Sequence, residues 1–140
     1  VNKIRLSKEE IQYITLFESM TGAKVRDCIE EEGLMGFVVQ AGDMGLAIGK
    51  RGSTIERVRK AIGKSIWVVE YSDEADTFIR NMFHPVNVRI GRDKDSSRVV
   101  IEVSRSERNK VIGHEGRKIR MARQLVKRHC GIGELKLKTV

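Results

Sequence analysis

The sequence predicts an α+β protein made of two successive units of similar plan, residues 1–72 and residues 73–140. Three observations lead there. Helix-period and strand-period apolar segments alternate in one order, and that order then repeats. The pair of glycines Gly49 and Gly52 recurs as Gly113 and Gly116, so the two copies align at an offset of 64. At that offset Ile48 falls on Ile112, Ile55 on Ile119, Ile62 on Val126, Phe37 on Ile101 and Val39 on Val103. Gly63 matches Gly131 only if the second copy has gained four residues, about one helical turn.

In the first unit, Ser7-Lys8-Glu9-Glu10 reads as a capping box that opens a helix with Ile11, Ile14, Phe17 and Met20 along one side, ended by Gly22. Residues 23–33 and 35–42 read as two strands around an acidic turn at Glu30 to Gly33. Asp43 should cap a short helix through Ile48. After the glycine loop, Ser53-Thr54-Ile55-Glu56 reads as a second capping box, opening a helix with Ile55, Val58 and Ile62 inward. Gly63 then releases the chain into a strand over 65–72, whose Trp67 and Tyr71 are expected to pack in a core or interface.

The second unit begins with a helix striped by Phe78, Ile79, Met82 and Phe83 and stopped by Pro85. Residues 86–92 and 97–103 form an expected hairpin across Asp93 to Ser96. Ser104-Arg105-Ser106-Glu107 should open a short helix. Gly113 to Gly116 make the loop, Arg117 to His129 a long helix, and residues 133–139 a closing strand. The join at Ser72-Asp73 is too short for a free linker, so a semi-rigid pair is expected.

Composition narrows the function. The chain is 40% hydrophobic and 33% charged, as a folded soluble protein is. No apolar run approaches the roughly 20 residues that cross a bilayer, and the amino terminus lacks a signal-peptide core, so no membrane partner and a cytoplasmic location are expected. Cys28 and Cys130 sit in no metal-ligand spacing. His129 and Cys130 diverge by about 100° on a helix, so packed thiols are expected rather than a zinc site, with a disulfide between them conceivable only in a hyperthermophile. The net charge of +8 is concentrated: residues 49–64 carry +5 and residues 105–129 carry +7. Two basic clusters, each at a paired-glycine loop, point to a polyanion, and the absence of an aromatic face on either basic helix points to nucleic acid rather than membrane.

Gly-x-x-Gly between helices allows a backbone approach that a Cβ would block, and the start of the following helix attracts anions. In the first copy Lys50 and Arg51 add cations at the tip, with Arg57 and Lys60 one to two turns on. A P-loop is excluded, because Gly49-Lys50 is followed by Arg51 and Met44 stands where its first glycine would be.

These residues carry a resemblance. Gly-x-x-Gly in a helix–loop–helix beside three strands resembles the KH domain, and the helix-first order with a late loop is similar to its prokaryotic, type II form. The resemblance implies a three-stranded mixed sheet with helices packed on one face, and a grip on about four nucleotides of single-stranded nucleic acid. It assigns Gly49, Lys50, Arg51 and Gly52 to the first loop, with Ser53 at the helix start and Ile48, Ile55 and Val39 toward an apolar groove. Gly113, His114, Glu115 and Gly116 make the second loop, with Ile112, Ile119 and Val103 behind it and Arg117, Lys118 and Arg120 beside it. The run Leu46 to Gly52 and the interdomain run Val68 to Val88 are similar to the tandem KH pair of the NusA family, over nearly the whole chain. The short archaeal NusA form, without an S1 or a polymerase-binding amino-terminal domain, is the expectation. That family implies single-stranded RNA and RNA polymerase as partners, in elongation or termination of transcription, with no cofactor and no catalysis; a monomer is expected.

One departure separates the copies. His114 and Glu115 stand where a basic pair is usual, and Glu115 repels a phosphate at the tip, so the first loop is expected to be the stronger grip. Three other functions stay open at this point: a KH pair acting on the ribosome or in RNA decay, a nuclease holding magnesium at Asp93, Asp95 or Glu30-Glu31-Glu32, and an adaptor whose basic faces meet an acidic protein.

Overall fold

The computed structural model describes residues 4–94 and 97–140. Asp95 and Ser96, named above in the hairpin turn and Asp95 among the magnesium candidates, lie outside the described residues. The chain divides into two compact units, one ending at Ser72 and one running from Asp73 to Val140.

The first unit runs α1 (Lys8–Thr21), β1 (Val25–Glu31), β2 (Leu34–Val39), α2 (Met44–Ile48), α3 (Ser53–Ile62) and β3 (Ser65–Glu70). The Ser7 hydroxyl accepts from the Glu10 amide at 3.1 Å and the Glu10 carboxylate accepts from the Ser7 amide at 2.9 Å, so the capping box forms. Gly22 ends the helix in the left-handed conformation. β1 pairs antiparallel with β2 and β2 parallel with β3, a mixed sheet in the order β1-β2-β3. Cys28, Phe37 and Val68 stand in register, and this face packs against Phe17, Ala47, Ile55 and Val58 of the three helices, with the Phe17 and Phe37 rings stacked at 4.2 Å. The opposite face carries Ile29, Leu34, Val38, Trp67 and Val69, also buried, so β2 is covered along its whole length. Tyr71 is half-buried under the Arg26 guanidinium, 3.8 Å from its ring centre.

The second unit runs α4 (Ala75–Phe83), β4 (Arg89–Arg92), β5 (Arg98–Val103), α5 (Arg108–Ile112), α6 (Arg117–Cys130) and β6 (Glu134–Thr139). Its sheet has the same plan, β4-β5-β6, antiparallel then parallel. Val99, Ile101, Val103 and Leu135 are buried, while Arg98, Lys136 and Lys138 are exposed beside Glu134 and Glu102. The central strands keep the offset of 64, but the closing strands do not: Leu34 faces Ser65, whereas Arg98 faces Glu134. Four of the five extra residues lengthen the helix, 14 residues in α6 against 10 in α3, and the fifth enters the connection through Ile132 and Gly133. The guanidinium of Arg123 on α6 donates to the Leu135 carbonyl at 3.1 Å, tying the longer helix to β6.

Several local expectations are corrected. Ile11 is 52% exposed, because Ile14, Phe17 and Met20 already fill the inward side of α1. Asp43 stands at the N-cap of α2, but its side chain makes no capping bond; its carboxylate accepts from the Lys24 amide at 2.9 Å, joining the loop to the start of β1. Ser53 is inside its helix and makes no capping bond, since Gly52 takes the cap position in left-handed geometry. The short helix of the second unit starts at Arg108, not Ser104, whose carbonyl instead accepts from the Glu107 amide in a turn. β4 starts at Arg89 because the Val86 amide closes a turn onto Phe83. Cys28 and Cys130 form no disulfide, in line with the packed thiols expected; burial pushes the Cys130 thiol above its ordinary range, with Arg92 pulling the other way.

Candidate nucleic-acid interface

Each glycine pair sits at the hinge between a five-residue helix and the longer helix that follows, α2 to α3 and α5 to α6. One tight turn fills each hinge, over Lys50–Gly52 and His114–Gly116. The two backbones coincide almost angle for angle. Gly49 has φ 76° and ψ 176° and Gly113 has 77° and 176°. Arg51 has 55° and 29°, Glu115 has 53° and 27°, and Gly52 and Gly116 both have φ 75°.

The first glycine is required twice over. Its dihedral pair is a region that essentially only glycine occupies. A Cβ at Gly49 would also collide with the Thr54 hydroxyl and stand 2.9 Å from the Thr54 amide nitrogen. At Gly113 the same place is taken by Lys118, whose Cβ and Cγ would lie 2.9 and 2.8 Å away. Each loop is thus pressed onto the residue five positions on. The second glycine is held by its positive φ alone in the first copy, where the nearest atom to a Cβ is Ile55 Cγ2 at 4.0 Å.

The amides at the loop are partly committed. The Gly52 amide donates to the Gly49 carbonyl at 3.2 Å and the Ser53 amide to the Lys50 carbonyl, so attraction for an anion rests more on side chains than the bare helix start implied. Lys50 and Arg51 are exposed at the tip of the first loop, and Ser53, Arg57 and Lys60 are exposed along α3. Ile48 is half-buried and accessible beside them, whereas Ile55 is 4% exposed and belongs to the core. Leu46, on α2 three residues before Gly49, is 52% exposed. Sequence reading missed it; the available signal was an apolar residue next to core-facing Ala47 on so short a helix.

The second loop differs in charge. His114 and Glu115 are exposed, with His114 Nε2 3.6 Å from the Glu115 carboxylate. Arg117, Lys118 and Arg120 are each half-buried, and burial lowers the Lys118 amine below its ordinary range. Ile112 is half-buried and Ile119 is 6% exposed. Lys110, at the position of Leu46, is exposed and pairs with Glu107 at 3.2 Å. The two loops therefore share a backbone and not a charge pattern: cations at the tip and an apolar shoulder in the first, a histidine and a carboxylate at the tip and a lysine shoulder in the second. Among the described residues no group of three or more His, Cys, Asp or Glu gathers as a metal site would require, and no helix is long and apolar enough to cross a membrane.

Residues 11–90 match the family model described as "KH domain", a span that reaches past the boundary between the units. The "Probable transcription termination protein NusA" of Methanocaldococcus jannaschii is 33% identical, over 96% of this chain and 75% of that protein. The protein of the same name from Halobacterium salinarum is 34% identical, over 96% of this chain and 98% of its own length. A crystal structure described as that of APE1850 is 33% identical and superposes with a TM-score of 0.77, covering 95% of this chain and all of that one. The chain belongs to the KH-domain family and, within it, to the archaeal NusA-like proteins.

Proposed function

We propose that the chain is a non-catalytic, single-stranded RNA-binding factor of NusA type, acting in the cytoplasm on elongating or terminating RNA polymerase. In this reading residues 1–72 and 73–140 are tandem type II KH domains working as a monomer. Gly49, Lys50, Arg51 and Gly52 grip the RNA backbone, with Ser53, Arg57 and Lys60 along the strand and Leu46 and Ile48 beneath the bases. Gly113, His114, Gly116, Arg117 and Lys118 form a weaker second contact, with Ile112 behind them. The observation that carries the reading is the repetition of one glycine-only backbone at two loops within one fold, with exposed cations at the first. A structural corner needs no such cations, and the relatives' name supplies the link to transcription.

The test is binding of a single-stranded RNA of about a dozen nucleotides against a duplex of equal length, followed by co-sedimentation with purified archaeal RNA polymerase or ribosomal subunits. Preference for the single strand, with sedimentation on the polymerase, is expected. Equal weak binding to both nucleic acids would remove the RNA reading, and sedimentation with ribosomal subunits alone would remove the transcription reading.

A further inference from the structure

Although the two loops share their dihedral angles, they are braced differently. The residue that follows the second loop by four positions, Arg120, donates from its guanidinium to the Glu115 carbonyl at 2.7 Å. Its NH1 also lies 3.0 Å from where a Cβ on Gly116 would be, so the guanidinium rests against that glycine. Glu115 is a non-glycine residue at φ 53°, a left-handed conformation that costs free energy in the absence of compensation. The equivalent residue of the first helix is Glu56, which turns away from its loop and pairs with Arg59. The cation in the second copy thus sits under the strained residue, where the first copy has an anion facing elsewhere.

We propose that Arg120 is a positioning residue for the second loop: its hydrogen bond to the Glu115 carbonyl holds the left-handed tip in place, and it is not a phosphate ligand. A bond to a carbonyl made by a charged donor is stronger than a neutral one, which suits it to offset a strained residue. The consequence for binding is a second loop that is preset before RNA arrives, and this part rests on the RNA reading above. Gly116 acquires a second reason to be glycine here, since a Cβ would crowd the guanidinium at 3.0 Å.

The test is amide hydrogen exchange of the full chain, wild type against Arg120→Met, each also with Glu115→Gly, together with the salt dependence of binding to a 12-nucleotide RNA. Glycine adopts the left-handed tip without strain, so the two substitutions should couple. With Glu115 in place, Arg120→Met should speed exchange of the Gly116 amide by about tenfold while β5 amides stay unchanged; in the Glu115→Gly background the change should be under about twofold. The salt slope of RNA binding should be unaltered. Equal acceleration in both backgrounds, no acceleration in either, or acceleration of β5 as well would overturn the proposal. A slope shallower by about 0.7 would also overturn it, by making Arg120 a phosphate contact. If no variant, wild type included, binds RNA, the RNA reading fails and the exchange data still decide the role of Arg120.

Discussion

Gly49 carries the strictest demand of any residue at the site. Its dihedrals exclude a side chain, and Thr54 occupies the space that a Cβ would need. Gly52 has only the positive φ to satisfy, with 4.0 Å of clearance. Gly49→Ala should therefore destabilise by about 3 kcal/mol or more, and Gly52→Ala by about 1 to 2 kcal/mol. Denaturant titration of the two variants measures this, and equal losses would mean that the Thr54 contact yields at little cost. The demand at Gly49 was legible in the sequence only in part. The paired glycines announced a special turn, but nothing in the string of letters tells that residue 54 or residue 118 closes against it, because an i to i+5 contact depends on how the turn is wound. The bracing by Arg120 was hidden for the same reason: on the sequence it was one more cation in a basic helix.

At the scale of elements, apolar spacing located the helices and strands, since burial of one face is what selects them. It also located the repeat, because Phe37 and Ile101 fill equivalent places on the two central strands. Capping was read less well. The pattern Ser-x-x-Glu occurs at Ser7 and at Ser53, yet only the first is a capping box. At Ser53 the preceding turn has already brought Gly52 to the cap position, and the Ser53 amide bonds back to Lys50. Ser7→Ala should then cost about 1 kcal/mol, while Ser53→Ala should cost no more than a few tenths. Thermal or chemical denaturation of the pair separates the two, and a comparable loss at Ser53 would restore the capping role that the structure denies it. Ile11 shows the limit of periodicity: its spacing fits the apolar stripe of α1, but the stripe is complete without it.

Over the whole molecule, the same fold is used twice with unequal charge. The first loop presents Lys50 and Arg51, and the second presents His114 and Glu115 over a brace of half-buried cations. Glu115→Lys should raise affinity for single-stranded RNA several-fold at low salt and steepen the salt slope by about 0.7, the share of one added phosphate contact. Unchanged affinity would mean that the tip of the second loop lies off the RNA path. The central claim is that phosphates sit at the first loop. It is tested most directly by the affinity for a single-stranded RNA of about a dozen nucleotides across a salt series, for wild type and for Lys50→Asp with Arg51→Asp. A loss of at least about tenfold is expected, with a slope shallower by up to about 1.4 for two phosphates released. Equal affinity and equal slope in the two proteins would contradict it, and binding that is weak as well as equal would leave both glycine loops as corners of the fold.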